Sequence, residues 1–146
     1  MGKLAACSAG DERRIGRVMK VVYFAHDLTD AAVARRVRML RMGGADIKLL
    51  GFRRSHSQVY EVEGVAAIDF GQTVDRHLAS RAMQVVRRSL DAAKWRMIIS
   101  DADVVLARNL EMATIAYAAR LWAGSRVRLA YECLDIHSGQ LGKGIA

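Results

Sequence analysis

Residues 18–52 read VMKVVYFAHDLTDAAVARRVRMLRMGGADIKLLGF and carry the pattern that decides the fold. Residues 18–25 form a short apolar run rich in β-branched and aromatic side chains, typical of a strand buried on both faces of a parallel sheet. From Ala31 to Met42, apolar residues recur at helical spacing opposite a row of arginines, and Asp30 can cap this helix. A glycine pair ends the helix, and a second strand is predicted from Ile47 to Phe52. The stretch therefore predicts a strand–helix–strand unit.

The same alternation continues along the chain. An edge strand is predicted at Val59–Glu63 and a main strand at Val65–Phe70, followed by a long helix at Asp75–Met97. A strand at Val104–Ala107, a helix at Leu110–Ala123 and a strand at Arg128–Leu134 come next. On the last helix, Leu110, Ala113, Ala116 and Leu121 are predicted to face the core, and the methionines at 39, 42, 83, 97 and 112 to fill it. Strands that alternate with helices predict an α/β fold, a Rossmann-like parallel sheet with helices on both faces. It is expected to span residues 17–146, after a flexible leader at residues 1–16.

Composition limits the classes of function. A chain of 146 residues is the size of one domain, and it contains no apolar run long enough to span a membrane. No secretory signal is recognised, and two distant cysteines favour free thiols in a reducing cytoplasm. The net charge of +8 indicates either basic helix faces that are simply solvated or a protein that is attracted to an anionic membrane surface. Nucleic-acid binding is disfavoured, because the arginines are spread out and few aromatic residues lie among them.

Candidate functional residues follow from the predicted sheet, because ligands of open α/β sheets bind beyond the carboxyl ends of the strands. That rule selects residues at the ends of the first, fourth and fifth main strands: His26, Asp27, Arg108, Asn109, Glu132, Asp135 and His137. Nothing in the sequence matches a dinucleotide-binding G-x-G-x-x-G turn, a phosphate-binding P-loop or the G-x-S-x-G elbow of hydrolases.

Each candidate also has an ordinary structural explanation, which is a cap of the next helix for Asp135 and an exposed loop position for His137. Arg108 could bind a phosphate or carboxylate through its planar fork, or form a surface ion pair. Asn109 is more easily explained as a helix cap than as a ligand. Glu132 lies within a strand, where an acid must be paired or face a cleft. His26 and Asp27 could serve in a turn or bind substrate, so the sequence alone leaves these alternatives open.

Three segments resemble retaining GT-B glycosyltransferases of the large family-4 group. They are VVYFAHDLTDAAVARRVRMLRMGGADIKLLGFRR, DADVVLARNLEMATIAYAARL and LAYECLDIHSGQLG, which begin at residues 21, 101 and 129. The last is similar to the Y-E-x-x-D-[IL]-H strand end of bacterial exopolysaccharide transferases. The resemblance covers residues 17–146 and departs at the first turn, where many relatives carry glycines and this chain has His26-Asp27-Leu28.

The resemblance implies the N-terminal, acceptor-binding half of a glycosyltransferase. The substrates would be a nucleotide-sugar donor and a polysaccharide or glycolipid acceptor, with no cofactor and no essential metal. By this resemblance Asp135 and His137 are candidate catalytic residues, and His26, Asp27, Arg108, Asn109 and Glu132 are candidate substrate-binding residues. A C-terminal donor-binding domain is absent from the sequence, so the chain alone is expected to be inactive. The expected location is the cytoplasm, either free or peripheral at the inner membrane face. The alternative function is a non-catalytic α/β module that binds a small ligand or a protein.

Overall fold

The computed structural model describes residues 17–73, 86–89 and 91–133. The strands, in chain order β1 to β6, are Lys20–Ala25, Asp46–Arg53, Glu61–Val62, Val65–Gln72, Val104–Arg108 and Arg128–Glu132. The helices are α1 (Ala31–Met42), α2 (Arg96–Ser100) and α3 (Leu110–Trp122). Residues 86–89 are also helical, and a 3-10 segment at Asp91–Trp95 leads directly into α2.

The sheet has the strand order β3-β4-β2-β1-β5-β6. All neighbouring strands are parallel except β3, which pairs antiparallel with β4. From β1 the chain adds β2 and β4 on one side, and it returns to add β5 and β6 on the other. The predicted α/β, Rossmann-like fold is therefore confirmed, and the carboxyl ends of β1, β5 and β6 meet at one rim. Sheets of this kind bind ligands at the point where the direction in which strands are added reverses, which here lies between β1 and β5.

Helices cover both faces of the sheet. On one face, α1 packs Val33 and Val37 against Tyr23 and Leu49. On the other face, α2, α3 and the 3-10 segment cover a cluster that contains Phe24, Phe70, Trp95, Met112 and Ile115. On the face covered by α1, Glu132 at the end of β6 contacts Tyr23 and Arg36.

The long helix predicted over Asp75–Met97 is helical at residues 86–89 and from Arg96, is wrong at Asp91–Trp95, and otherwise lies outside the described residues. The chain tightens into the 3-10 segment at Asp91–Trp95, and α2 then continues to Ser100. The tighter turn places Trp95 on Phe70, with ring centroids 4.7 Å apart, so aromatic packing determines the local geometry.

The predicted buried side of α3 is right for Ala116, which is buried, and for Ala113, which packs against the core, but wrong for its two leucines. Leu110 and Leu121 are 73% and 61% exposed, whereas Met112 and Ile115 are fully buried. The sequence of α3 is apolar around most of its circumference, so periodicity alone does not identify the inward face. Among the methionines predicted in the core, Met112 is buried, Met39, Met42 and Met97 are exposed, and Met83 lies outside the described residues.

Candidate functional site

A largely buried carboxylate lies at the end of β6, where it is the centre of an ion-pair cluster. Oε1 of Glu132, on β6, accepts hydrogen bonds from Nε and Nη2 of Arg36 at 3.0 and 2.5 Å. The same oxygen lies 3.1 Å from Nη1 of Arg108, at the end of β5. The hydroxyl of Tyr23, on β1, donates to Oε2 at 3.1 Å. Glu132 therefore joins three strands and α1 through one side chain, of which only 13% is exposed.

The surroundings of Glu132 fix its protonation state. Burial opposes its charge, but the hydrogen bond and charge of Arg36, together with Tyr23 and Arg108, hold its pKa below the ordinary 4.5. Burial and the Glu132 charge raise the pKa of Tyr23 above the ordinary 10.0, so its hydroxyl stays protonated and donates. The cluster is thus an ionised carboxylate between two arginines.

Arg108 brings a buried cation to the rim. Its side chain is 9% exposed, with Nη2 4.0 Å from Oδ2 of Asp30. Nε of Arg108 is buried and has no hydrogen-bond partner among the described residues. A buried donor without a partner is uncommon in native structures, and one explanation is a ligand that binds there.

His26 approaches the same oxygen of Asp30 as Arg108 does. Its Nε2 is 3.6 Å from Oδ2 of Asp30, while Oδ1 of Asp30 caps α1 by accepting from the backbone N–H of Ala32 at 2.8 Å. Burial, the largest cause, lowers the pKa of His26, so the imidazole is neutral at pH 7. Its Nδ1 is buried without a hydrogen-bond partner among the described residues. A neutral imidazole can donate one hydrogen bond and accept another, which suits a hydroxyl group.

The contacts of Asp27 are those of a turn. Oδ1 accepts from the backbone N–H and the hydroxyl of Thr29, at 2.9 and 2.6 Å, and from the backbone N–H of Arg54 at 3.3 Å. Nε of Arg54 lies 3.5 Å from Oδ2. Asp27 therefore ties the turn after β1 to the loop after β2.

Asn109 combines a helix cap with an unusual backbone conformation. Its side chain accepts from the backbone N–H of Met112 at 3.0 Å, at the start of α3. Its φ of 76° and ψ of 167° fall in a region that is nearly exclusive to glycine. Backbone strain of this kind is concentrated at functional sites, and here it directly follows Arg108.

The two properties of Asn109 can be separated by substitution. Asn109→Ala loses the cap and retains an unfavourable backbone, so the free energy of unfolding should fall by about 1–2 kcal/mol. Asn109→Gly relieves the strain and is itself tolerated as a cap, so the change should stay within about 0.5 kcal/mol of zero or be stabilising. Urea denaturation of both variants makes the comparison, and equal losses would show that strain is not important here.

The structure joins some of the predicted site residues and not others. His26, Arg108 and Glu132 meet in one cluster through Asp30, whereas Asp27 and Asn109 form a turn and a cap beside it. Asp135 and His137 lie outside the described residues. A role in substrate binding or catalysis remains a prediction for all seven.

Sequence reasoning missed Tyr23 and Arg36. It also missed that Asp30, besides capping α1, lies close to His26 and Arg108. A signal for Arg36 was present, because it follows Val33 by three positions and thus flanks the buried side of α1. Tyr23 resembles any core aromatic residue until its neighbour across the sheet is known.

Two further features complete the description. A cavity of about 460 Å³ lies near the amino ends of β1 and β2, away from the rim, and its lining includes Lys20, Lys48, Met97 and Asp101. In the described part of the chain, every helix is too short or too polar to cross a bilayer.

The comparisons with known proteins agree with this architecture. A scan against protein families found no match. The chain is 40% identical over 128 residues to the succinoglycan biosynthesis protein ExoL of Rhizobium meliloti (strain 1021). That alignment covers 88% of this chain but only 32% of ExoL, so the chain spans about a third of its relative. The fold of this chain resembles that of the C-terminal domain of the PF1911 hydrogenase from Pyrococcus furiosus, with a TM-score of 0.57 and 12% sequence identity. The match covers 78% of this chain and 91% of the other. The chain is thus an α/β protein related in sequence to a protein of exopolysaccharide biosynthesis.

Proposed function

We propose that this chain is the acceptor-binding part of a glycosyltransferase of exopolysaccharide synthesis. The observation that supports this most is the cluster of His26, Asp30, Arg108 and Glu132 at the rim where open α/β sheets bind their ligands. The similarity to a succinoglycan biosynthesis protein points to the same process.

The chemistry of the cluster suits saccharide hydroxyl groups. Each hydroxyl both donates and accepts hydrogen bonds, so it is best bound by fixed groups of both kinds. Arg108 offers a buried N–H, Asp30 a half-buried carboxylate and His26 a neutral imidazole. Glu132 holds Arg108 in place and is therefore assigned a positioning role instead of direct contact with the sugar.

The catalytic part of the proposal concerns residues beyond β6. Asp135 and His137 follow Glu132 by three and five positions in the sequence. In the proposed reaction, His137 orients a reacting hydroxyl, and Asp135 fixes the imidazole tautomer or accepts the proton of the acceptor hydroxyl. A second domain would bind the nucleotide sugar and stabilise the departing diphosphate, without a cofactor. The proposed acceptor is a saccharide or a lipid-linked saccharide, which would bring the protein to an anionic membrane surface.

The proposal predicts that this chain alone transfers no sugar. Purified chain incubated with a radiolabelled nucleotide sugar and with oligosaccharides released from succinoglycan should give no labelled product above background. Electrostatic stabilisation of the leaving group is usually the largest single contribution to such catalysis, and here it is assigned to the second domain. The control is His137→Ala: turnover by the natural chain that disappears in this variant would contradict the need for a second domain.

A further inference from the structure

Strand β6 forms an open edge of the sheet. It lies last in the strand order, and within the described residues it pairs with β5 alone. Its residues, Arg128–Glu132, stay in continuous register with β5, and the sequence contains no proline that would block a further strand. Native proteins usually interrupt such edges with bulges, prolines or very short strands. The edge at the other end, β3, has only two residues, so β6 is the edge that can accept another strand.

The sequence of β6 is complementary to itself in the antiparallel direction. If two copies of β6 pair around a two-fold axis at Ala130, Arg128 of one copy lies opposite Glu132 of the other. In the same register Leu129 lies opposite Tyr131, and the two side chains bury apolar surface against each other. Opposite charges directly across a sheet stabilise the pairing. An axis at Leu129 or at Tyr131 would instead place an alanine opposite one of the two charges, so the strand favours one register with a second copy of itself.

The two charges lie on the same face of the sheet. Glu132 contacts Tyr23 and Arg36 on the face covered by α1, and Arg128, four positions earlier in the strand, belongs to that face too. Arg128 is exposed and takes part in no salt bridge within residues 17–73, 86–89 and 91–133. Pairing of two β6 strands therefore gives Arg128 a facing acid that it lacks within one copy.

Two exposed tyrosines border the same edge on the other face of the sheet. Tyr131 is the neighbour of buried Ala107 across the β5–β6 pair, so it lies on the face covered by α3, where it is 52% exposed. Nε of Arg120 donates to the backbone carbonyl of Ser125, in the loop before β6, which identifies the side of α3 that borders β6. Tyr117, three positions before Arg120, lies on that side and is 51% exposed. Tyrosine is enriched in protein interfaces, and pairing of β6 would bring the tyrosines of both copies together.

We propose that two copies of this chain associate by antiparallel pairing of their β6 strands around Ala130, which joins the two six-stranded sheets into one. The contact is isologous, so each favourable pair of side chains occurs twice. The proposal goes beyond sugar transfer, since association requires neither an acceptor nor a donor. One short strand and a few side chains make a small interface, so the dimer should exchange with the monomer and dissociate on dilution.

Sedimentation equilibrium of the purified chain measures the dissociation constant of the dimer. The natural chain should have twice the monomer mass at high concentration and the monomer mass after dilution. Arg128→Glu puts like charges opposite each other in the proposed register and should raise the dissociation constant about tenfold or more. Arg96→Glu makes the same change of charge at an exposed position of α2 and should alter the constant less than about twofold. Circular dichroism checks that both variants are folded.

Cross-linking tests the register through a gain of signal, which an unfolded variant cannot imitate. In a chain with Cys7→Ser and Cys133→Ser, Ala130→Cys puts two thiols opposite each other at the two-fold axis, at a separation that suits a disulfide. Mild oxidation should join the copies of this variant, whereas Ser100→Cys, at an exposed position of α2, should give little covalent dimer. The proposal is overturned if the natural chain is a monomer at its highest soluble concentration, if Arg96→Glu weakens association as strongly as Arg128→Glu, or if the two cysteine variants cross-link equally.

Discussion

Replacing Glu132 by glutamine is expected to lower the free energy of unfolding by about 3–5 kcal/mol, the usual penalty for removing one partner of a buried ion pair. Glutamine keeps the shape of the side chain but removes the charge that balances Arg36 and Arg108. The loss should be severe at Arg108, whose side chain is only 9% exposed and would remain as a buried cation without its nearest acid. Urea or thermal denaturation measures the difference.

The matched control is Glu63→Gln. Glu63 accepts two hydrogen bonds from Arg38 at an exposed site, where solvent screens the charges. Its substitution should have only a small effect on stability. Equal losses in the two variants would contradict the account of Glu132 as the centre of a stabilising ion-pair cluster.

The stabilisation from Glu132 has a defined dependence on pH. Because the pKa of the folded state lies below the ordinary 4.5, this stabilisation is present above pH 4.5 and is lost as the pH falls through the lowered folded value. The difference in stability between the natural chain and Glu132→Gln should therefore be largest near neutral pH and shrink in acid.

Substitution of Arg108 should have the largest effect on binding. In Arg108→Gln, the dissociation constant for oligosaccharides released from succinoglycan should rise about tenfold or more, since a hydrogen bond from a charged donor contributes about 1.5–3 kcal/mol. The fold should persist, because Glu132 keeps Arg36 and Tyr23 as partners. Isothermal titration calorimetry provides the constant.

Arg35→Gln is the control for this prediction. Arg35 is exposed on α1, so the same change of charge there should leave saccharide affinity within about twofold. If both variants bind as tightly as the natural chain, Arg108 has no role in saccharide binding.

The architecture was predictable from the sequence because its local signals agree with its overall packing. The apolar run of β1 and the capped helix after it appear in the structure where the pattern places them, and Asp30 caps α1 as expected. Elements whose signals are ambiguous gave the errors. The inward face of α3 could not be identified because leucines and alanines surround it, and Trp95 breaks the preceding helix through a contact with Phe70 that is distant in sequence.

The candidate site was only partly predictable for a related reason. The rule about strand ends located His26, Arg108 and Glu132, but it carries no information about which partners their side chains select. Pairing of Glu132 with Arg36 joins residues 96 positions apart and depends on how α1 lies over the sheet. The sequence favoured no partner for Glu132, and the structure shows a carboxylate fully occupied by protein groups.

The most direct test of the central claim is to map where ligands bind on the natural chain by NMR of the backbone amides. Oligosaccharides released from succinoglycan should shift the signals of His26, Arg108 and Asn109, at the rim formed by β1 and β5. A nucleotide sugar such as UDP-glucose, added alone, should leave those signals unchanged, since its binding is assigned to a second domain. Saccharide-induced shifts confined to the distant cavity around Lys20 and Met97, or rim shifts caused by the nucleotide sugar alone, would contradict the assignment of this chain as the acceptor-binding part.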